Sequence, residues 1–230
     1  MNYINYTYIK NKNILVSQES KEFNPFTWMD NGIYQEAAIN FVYNKIKDNF
    51  IVLDIGAQSG SFSLLSKFLP NTTWHSFEPD PTNRGLLEQN LKINNINNVI
   101  VYKDALSDKI GEDTFSINPN QRGLNTLGKN LIRFNEKDSL KIKINLNTID
   151  NLFLNTKIDF IKIDTEGAEY NIINGAREVL KKYKPVIFLE CEDANLQQFN
   201  LSEKKLKELI KDIGYKITWQ EEDNIFIEPV

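Results

Sequence analysis

The sequence contains one histidine and one cysteine, and each scarcity excludes a class of site. His75 alone cannot supply a multi-histidine metal site, and the pattern around it predicts a packed position within a strand, away from a catalytic edge. Cys191 alone cannot form an internal disulfide. A chain without disulfides is typical of a reducing compartment, so we expect a cytoplasmic protein.

The chain also lacks an excess of basic residues and a long apolar run. Its 27 lysines and arginines stand against 31 aspartates and glutamates, which gives a formal net charge of −4. Surfaces that follow phosphates are usually basic, so nucleic acid is not the expected partner. No apolar run approaches the roughly 18 residues that span a bilayer, and the first residues lack the pattern of a signal peptide. We therefore expect no membrane partner.

The length of 230 residues and the hydrophobic content of 41% predict a single domain, residues 1–230. Residues 1–48 are predicted to form a hairpin and a helix that cap a catalytic core, residues 49–230. The hairpin is expected within Tyr3–Val16, around the turn Asn11-Lys12-Asn13, and the helix over Ile33–Ile46.

Strand and helix patterns alternate through the core. Seven strands are predicted, at Phe50–Ile55, Thr73–Glu78, Val99–Lys103, Ile158–Asp164, Pro185–Cys191, Tyr215–Trp219 and Asn224–Glu228. The predicted helices are Gly60–Phe68, Pro81–Ile93, Ala168–Lys181 and Ser202–Ile213. Strands this apolar are buried on both faces, whereas the last two are too closely spaced for a crossover helix and must be antiparallel. The fold class is therefore α/β, with a mostly parallel seven-stranded sheet and one antiparallel strand.

The alternation breaks between Ala105 and Thr148. Phe115–Ile117 and Leu140–Leu146 have strand patterns, and the polar segment Asn118–Asn135 connects them. This segment is either the loose tip of a plain hairpin or a lid over the functional site, since long loops at a sheet edge are often functional.

The segment from Asp54 to Gly60 predicts a nucleoside-cofactor site. An apolar strand ends in Asp54, passes through the turn Gly56-Ala57-Gln58, and leads into a predicted helix at Gly60. Gly56 permits close backbone approach, and a helix start attracts an anionic group. A dinucleotide fingerprint has a glycine where this chain has Gln58, which would crowd a pyrophosphate. The spacing therefore favours S-adenosylmethionine, whose carboxylate is smaller.

Acidic residues end the next two predicted strands. Glu78, followed by Pro79, lies 24 residues after Asp54, close to the roughly 20 expected for an acid that binds ribose. At the third strand, the Asp104 carboxylate and the Ala105 backbone N–H are candidates for holding the edge of adenine.

A charged stretch interrupts the fourth predicted strand at Lys162. A buried lysine needs a partner, and Asp164 lies on the same strand face two residues later. Glu166 follows in the turn, and Glu190 ends the next strand, before Glu192 and Asp193. We expect Asp164 to face the cofactor and the neighbouring acids to face the substrate that accepts the transferred group.

Together these residues resemble the FkbM family of S-adenosylmethionine-dependent methyltransferases. The resemblance covers roughly residues 34–192 and rests on Leu53–Ser63, Phe77–Asp80, Asn90-Leu91, Asp104–Leu106, Thr148–Asp150, Ile161–Glu169 and Pro185–Glu190. It implies a Rossmann-like class I methyltransferase fold and methyl transfer, commonly to a hydroxyl oxygen of a sugar, glycan or natural product. The cofactor positions that it implies are Asp54, Gly56, Gly60, Glu78, Asp104 and Asp164. Gln58 departs from the family, which usually has asparagine there.

The expected function is therefore an S-adenosylmethionine-dependent O-methyltransferase acting on a sugar, glycan or similar polyol, with S-adenosylhomocysteine as product. Because His75 is predicted to lie within a strand, away from the catalytic edge, we expect a carboxylate as general base, either Glu166 or Glu190. Alternatively, Asp164 with Glu190 or Asp193 could hold Mg²⁺ and lower the pKa of the hydroxyl.

Other functions remain open from the sequence. These are O-methylation of another small-molecule natural product, an NAD-dependent reaction on a related fold, and a non-catalytic cofactor-binding module. Candidate residues for the acceptor pocket are Trp28, Tyr34, Glu36 and the Asn118–Asn135 segment.

Overall fold

A computed structural model of the protein describes residues 3–9, 12–17, 36–132 and 135–230. Strands β1 (Tyr3–Ile9) and β2 (Lys12–Ser17) pair antiparallel, which confirms the N-terminal hairpin. Helix α1 (Glu36–Lys45) confirms most of the first predicted helix. The predicted turn Asn11-Lys12-Asn13 is corrected, because Lys12 and Asn13 pair with β1 as part of β2. Asn11 and the helix start at Ile33 lie outside the described residues.

Each predicted strand and helix of the core has a counterpart in the structure, whereas a short strand at Ala105–Leu106 and short helices at Ile149–Phe153 and Asp193–Gln197 were not predicted. The strands are β3 (Ile51–Ile55), β4 (Thr73–Phe77), β5 (Val99–Tyr102), β6 (Ala105–Leu106), β7 (Gly111–Ile117), β8 (Leu140–Asn147), β9 (Phe160–Ile163), β10 (Val186–Glu190), β11 (Tyr215–Glu221) and β12 (Asn224–Pro229). The α-helices are α2 (Pro81–Ile93), α3 (Ile149–Phe153), α4 (Glu169–Asn174), α5 (Arg177–Tyr183), α6 (Asp193–Gln197) and α7 (Glu203–Asp212). Within the described part of the chain, no helix is both long and apolar enough to cross a membrane.

The central sheet has seven strands in the order β11-β12-β10-β9-β3-β4-β5. Every pairing is parallel except those of β12, which runs antiparallel to β10 and β11. Alternate residues of β3 enter two apolar clusters, Val52 in one and Leu53 and Ile55 in the other. The predicted α/β class, with one reversed strand in a mostly parallel sheet, is confirmed.

A smaller sheet interrupts this alternation. Its order is β6-β8-β7, and β7 and β8 form the antiparallel pair predicted on either side of the polar segment. Phe115, Ile144 and Leu146 pack in a small apolar cluster that also contains Leu127 from the connecting segment. The connection between β7 and β8 is therefore anchored to the fold at Leu127.

Two predicted helices differ from the structure. The helix expected at Gly60–Phe68 is a 3₁₀ helix that begins at Ser63. Gly60 has φ +103°, which lies outside the helical region. The glycine turn therefore extends beyond Gly60, and the helix begins only at Ser63.

The helix expected over Ala168–Lys181 is split into α4 and α5. The break falls at Gly175, whose Cβ, if present, would lie 2.1 Å from the Ser107 carbonyl oxygen. The carboxylate of Asp150 accepts hydrogen bonds from the backbone N–H groups of Glu178 and Val179, which satisfies the free donors in the first turn of α5. The pattern of apolar residues predicted one continuous helix because it contains no information about capping by Asp150, which belongs to another element.

Candidate functional site

The carboxyl ends of β3, β4 and β9 meet at one edge of the sheet, and the glycine turn lies there. Gly56 has φ +76°, and a Cβ at this position would lie 1.8 Å from the Asp164 carbonyl oxygen. The backbone N–H groups of Gly56 and Ala57 both donate to the Phe77 carbonyl oxygen at 3.0 Å. The turn therefore packs so closely on β4 and β9 that only glycine fits its first position.

Glu78 lies directly after β4 and is 3% exposed. Its Oε2 accepts a hydrogen bond from the Gln58 backbone N–H at 2.8 Å, and its Oε1 accepts one from the Asp80 N–H at 2.8 Å. Burial raises the pKa of Glu78 to about 8, and the charge of Asp80 adds to this, although the two N–H donors oppose it. The carboxyl is therefore fixed in position and costly to ionise without further hydrogen-bond donors.

A cavity opens beside this carboxyl. It holds about 520 Å³ of empty space, a figure that includes open solvent. Its lining comes from the glycine turn, the ends of β4 and β9, β6, β7 and the β7–β8 connection. The lining residues are Ile55, Gly56, Gln58, Phe77, Glu78, Pro79, Asn83, Ala105, Leu106, Phe115, Arg122, Gly123, Asn125, Leu127, Asp164, Thr165, Glu166 and Ala168.

The β7–β8 connection is tied to the edge of the cavity through Asp80. The Asp80 carboxylate is fully buried, and its Oδ2 accepts from Arg122 Nη1 at 2.6 Å and from Asn125 Nδ2 at 2.8 Å. Its Oδ1 accepts from the Thr82 N–H and caps α2. Thr126 Oγ1 donates to the Glu166 carbonyl oxygen on the other side of the cavity. The connection thus contributes residues to the cavity lining, and its role as a lid stays a prediction.

Lys162 lies under the glycine turn and is 2% exposed. Its Nζ lies 3.3 Å from Asp54 Oδ1 and 3.9 Å from Asp164 Oδ2, and it donates to the Gly56 carbonyl oxygen at 2.8 Å. Burial alone would lower the Lys162 pKa, but the two carboxylates outweigh it and the pKa is raised. Asp54 is therefore the nearer partner, whereas the sequence indicated Asp164.

Three carboxylates form a group beside the cavity. Oxygen atoms of Asp164, Glu166 and Glu190 lie within 4.8 Å of one another. Burial, followed by the charges of Asp164 and Glu166, raises the pKa of Glu190 well above its ordinary value. Asn195 Nδ2 donates to Glu190 Oε2 at 2.9 Å and fixes one of its oxygens.

Asp193 does not belong to this group. Its carboxylate accepts hydrogen bonds from the Glu203 backbone N–H and from Gln197 Nε2, beside the start of α7. The set of cation-binding candidates from the sequence is corrected accordingly, with Glu166 in the place of Asp193.

The predicted site residues divide into two sets. Those in the cavity lining are Gly56, Gln58, Glu78, Pro79, Ala105, Asp164 and Glu166. Those outside the lining are Asp54, Ala57, Gly60, Asp104 and Glu190. Among these, Asp54 accepts from Ser63 Oγ and pairs with Lys162, and Asp104 accepts from Asn145 Nδ2 at 3.4 Å.

Of the candidates for the acceptor pocket, the Asn118–Asn135 segment contributes Arg122, Gly123, Asn125 and Leu127 to the lining. Trp28 and Tyr34 are outside the described residues, as is the side chain of Glu36. His75 pairs through Nδ1 with the Tyr102 hydroxyl and packs edge-on against Phe153, away from the cavity lining.

The sequence reasoning did not name two lining residues, Asn83 and Phe115, and it named Arg122, Asn125 and Leu127 only as part of the Asn118–Asn135 segment. Asn83 had a usable signal, because it lies one turn into the helix that begins after Glu78. Phe115 lies in β7, and Arg122, Asn125 and Leu127 lie in the β7–β8 connection, where no local pattern indicates which way a side chain faces.

The cavity fits a nucleoside that carries hydrogen-bond donors. Two buried acceptor atoms in its lining, Gln58 Oε1 and Asn83 Oδ1, have no hydrogen-bond partner among the described residues. With Glu78 they place three acceptor groups in one cavity lining, which ribose hydroxyls match. The apolar residues Leu106 and Phe115 on the remaining lining suit a flat base.

The parallel sheet with one reversed strand, and the buried acid beside a glycine turn, define a Rossmann-like methyltransferase fold. The sequence profile described as "Methyltransferase FkbM domain" matches residues 54–217, more than half of the chain. The chain therefore belongs to the FkbM methyltransferase family, a family of S-adenosylmethionine-dependent enzymes.

The chain is also similar to a methyltransferase in sequence and to solved structures in fold. The methyltransferase sdnD of Sordaria araneosa is 23% identical over 218 residues, covering 81% of this chain and 82% of that protein. The crystal structure of an FkbM methyltransferase from Methylobacillus flagellatus KT has a TM-score of 0.51 at 19% identity, covering 80% of this chain. This chain spans 44% of that protein. The Streptococcus mutans protein SMU.1697c, solved in complex with SAH, has a TM-score of 0.52 at 12% identity, covering 85% of this chain and 97% of that one.

Proposed function

We propose that the protein transfers a methyl group from S-adenosylmethionine to a hydroxyl oxygen of a sugar, a glycan or a similar polyol. The observation that carries the cofactor assignment is the buried Glu78 carboxyl, held by two backbone N–H groups in the cavity wall. In the proposed complex Glu78 accepts hydrogen bonds from ribose, and the turn at Gly56 lets backbone approach the ligand. S-adenosylmethionine supplies an electrophilic methyl group carried on a sulfonium.

The choice of a hydroxyl acceptor rests on the carboxylate group of Asp164, Glu166 and Glu190. A hydroxyl is weakly acidic, so a positioned base contributes about 10²–10⁴-fold. The cavity lining contains neither histidine nor lysine, so among the described lining residues the proton acceptors are carboxylates. Glu190 lies outside the lining, but its carboxylate is within 4.8 Å of those of Asp164 and Glu166, and its raised pKa brings its basicity closer to neutral pH. In the proposed reaction Glu190 or Glu166 takes the proton of the hydroxyl.

Polyols match the same edge by hydrogen bonding. Each sugar hydroxyl is a donor, and carboxylate oxygens accept two hydrogen bonds each. The same three carboxylates offer the oxygen ligands that Mg²⁺ prefers, so metal-assisted transfer is the alternative to a carboxylate base. The two routes differ in their response to a chelator.

The proposal is tested by incubating the protein with isotope-labelled S-adenosylmethionine and a panel of monosaccharides, glycans and polyphenols. We expect label in a sugar as an O-methyl ether, identified by mass spectrometry and NMR. Turnover should fall by about 10²-fold or more in Glu190→Gln or Glu166→Gln and stay at the wild-type level in Glu208→Gln, an exposed control on α7. Insensitivity to EDTA supports the carboxylate base. Labelling of nitrogen or carbon, or of no acceptor while S-adenosylhomocysteine binds, would contradict the proposal.

A further inference from the structure

The side-chain amide of Asn83 is buried, and only its nitrogen has a hydrogen-bond partner among the described residues. It lies in the first turn of α2, is 2% exposed, and lines the cavity. Its Nδ2 donates to the Arg122 carbonyl oxygen at 3.2 Å, across to the β7–β8 connection. Its Oδ1 is buried and has no hydrogen-bond partner within residues 3–9, 12–17, 36–132 and 135–230.

The orientation of this amide follows from its partner. The Arg122 carbonyl only accepts hydrogen bonds, so it requires the NH₂ end of the Asn83 amide, and the oxygen takes the opposite position. Most buried side-chain acceptors in proteins are satisfied, because an unmet one is costly. Since Asn83 lines the cavity, the missing donor is expected from a molecule bound there.

The neighbourhood restricts the kind of donor. Gln58 Oε1 is a second buried acceptor without a partner in the described residues, and the Gln58 N–H donates to Glu78. Glu78 adds a carboxyl to the same lining, five residues before Asn83 along the chain. Three acceptors in one lining match a group with adjacent donors, which in a nucleoside is the ribose diol and not the base.

We propose that Asn83 is a specificity-determining residue that accepts a hydrogen bond from a ribose hydroxyl of the cofactor, beside Glu78. This proposal rests on the proposed function, since it takes the ligand to be an S-adenosyl nucleoside. The β7–β8 connection takes part indirectly, because the Arg122 carbonyl sets the direction in which Asn83 Oδ1 points. Selection of a ribonucleoside thus depends on a segment distant in sequence from the glycine turn.

The test pairs removal of the side chain with removal of the hydroxyl. Dissociation constants are measured by calorimetry for S-adenosylhomocysteine and its 2′-deoxy and 3′-deoxy analogues, with the wild type, Asn83→Leu and Asn83→Ala. Arg122→Gln is the matched control, because it removes the ion pair with Asp80 but keeps the carbonyl that orients Asn83. Thermal unfolding of each variant accompanies the titrations, and Asn83→Ala is the smaller change if Asn83→Leu does not fold.

In the wild type, removing the hydroxyl that Asn83 binds should weaken binding. In the Asn83 variants the same removal should have an effect that is smaller by roughly three- to tenfold. Arg122→Gln should weaken binding of all three ligands by the same factor. If each hydroxyl contributes equally in the wild type and in the Asn83 variants, Asn83 acts only through packing and the inference is overturned. Failure of the wild type to bind S-adenosylhomocysteine at all would overturn the proposed function, and this inference with it.

Discussion

Replacing Lys162 by methionine tests how the glycine turn is held. Lys162 and Asp54 are 2% and 0% exposed, and their charged atoms are 3.3 Å apart. The substitution keeps most of the side-chain volume but leaves the Asp54 carboxylate buried without its cation. It also removes the donor to the Gly56 carbonyl oxygen. The turn that carries the candidate cofactor site therefore loses its support from β9.

The expected loss of stability is large. Removing one member of a buried ion pair costs about 3–5 kcal/mol, because the remaining charge is desolvated and uncompensated. Ser63 Oγ still donates to Asp54 Oδ2, which reduces the cost, whereas the lost bond to Gly56 adds to it. We therefore expect the free energy of unfolding to fall by about 3–5 kcal/mol. Replacing both partners, as Asp54→Leu with Lys162→Met, should recover much of this loss.

The assay is urea unfolding followed by circular dichroism and tryptophan fluorescence at neutral pH. Lys204→Met is the control, because its side chain is 86% exposed and its pairing with Glu208 is a surface contact of little expected weight. A Lys162→Met variant within about 1 kcal/mol of the wild type would refute the reasoning. So would a double variant less stable than the single one.

Three further predictions concern the site. Gly56→Ala should abolish S-adenosylhomocysteine binding in calorimetry, because its Cβ would overlap the Asp164 carbonyl oxygen at a left-handed φ; wild-type affinity would contradict this. Glu78 binds a proton in the folded ligand-free protein up to about pH 8 but in the unfolded chain only to its ordinary pKa of 4.5, so stability should decrease as pH rises between these values. Urea titrations across that range should show a loss of several kcal/mol, at about 1.4 kcal/mol per pKa unit, that Glu78→Gln removes. Because a base acts in its deprotonated form, turnover should rise as the pH passes through the raised pKa of Glu190. If the Glu190→Gln variant keeps some activity and its turnover depends on pH as that of the wild type does, Glu190 is not the base.

Much of the sheet was predictable because its causes are local. Buried parallel strands are continuously apolar, and Asp80 before Pro81 marks the start of α2, so these elements fall where the patterns indicate. The glycine turn and Glu78 were found for the same reason. The antiparallel pairing of the last two strands also followed, since their close spacing leaves no room for a crossover helix.

The rest depends on contacts between distant segments. The helix predicted over Ala168–Lys181 is two helices, because the Asp150 carboxylate, which lies in another element, caps the start of α5. The contribution of Arg122 to the cavity rests on its ion pair with Asp80, 42 residues away in sequence. The preference of Lys162 for Asp54 depends on the register between β3 and β9. These pairings cannot be inferred from a single sequence. The glycine turn and Glu78 were therefore predictable, whereas the individual lining residues from the β7–β8 connection were not.

The central claim is that the cavity beside Glu78 binds an S-adenosyl nucleoside. The most direct test is calorimetric titration of S-adenosylhomocysteine into the wild type, Glu78→Gln and the exposed control Glu208→Gln, with NAD as a second ligand. We predict micromolar binding to the wild type and the control, a loss of about tenfold or more in Glu78→Gln, and no binding of NAD. A folded wild type that binds NAD instead, or a Glu78→Gln variant with unchanged affinity for S-adenosylhomocysteine, would contradict the claim.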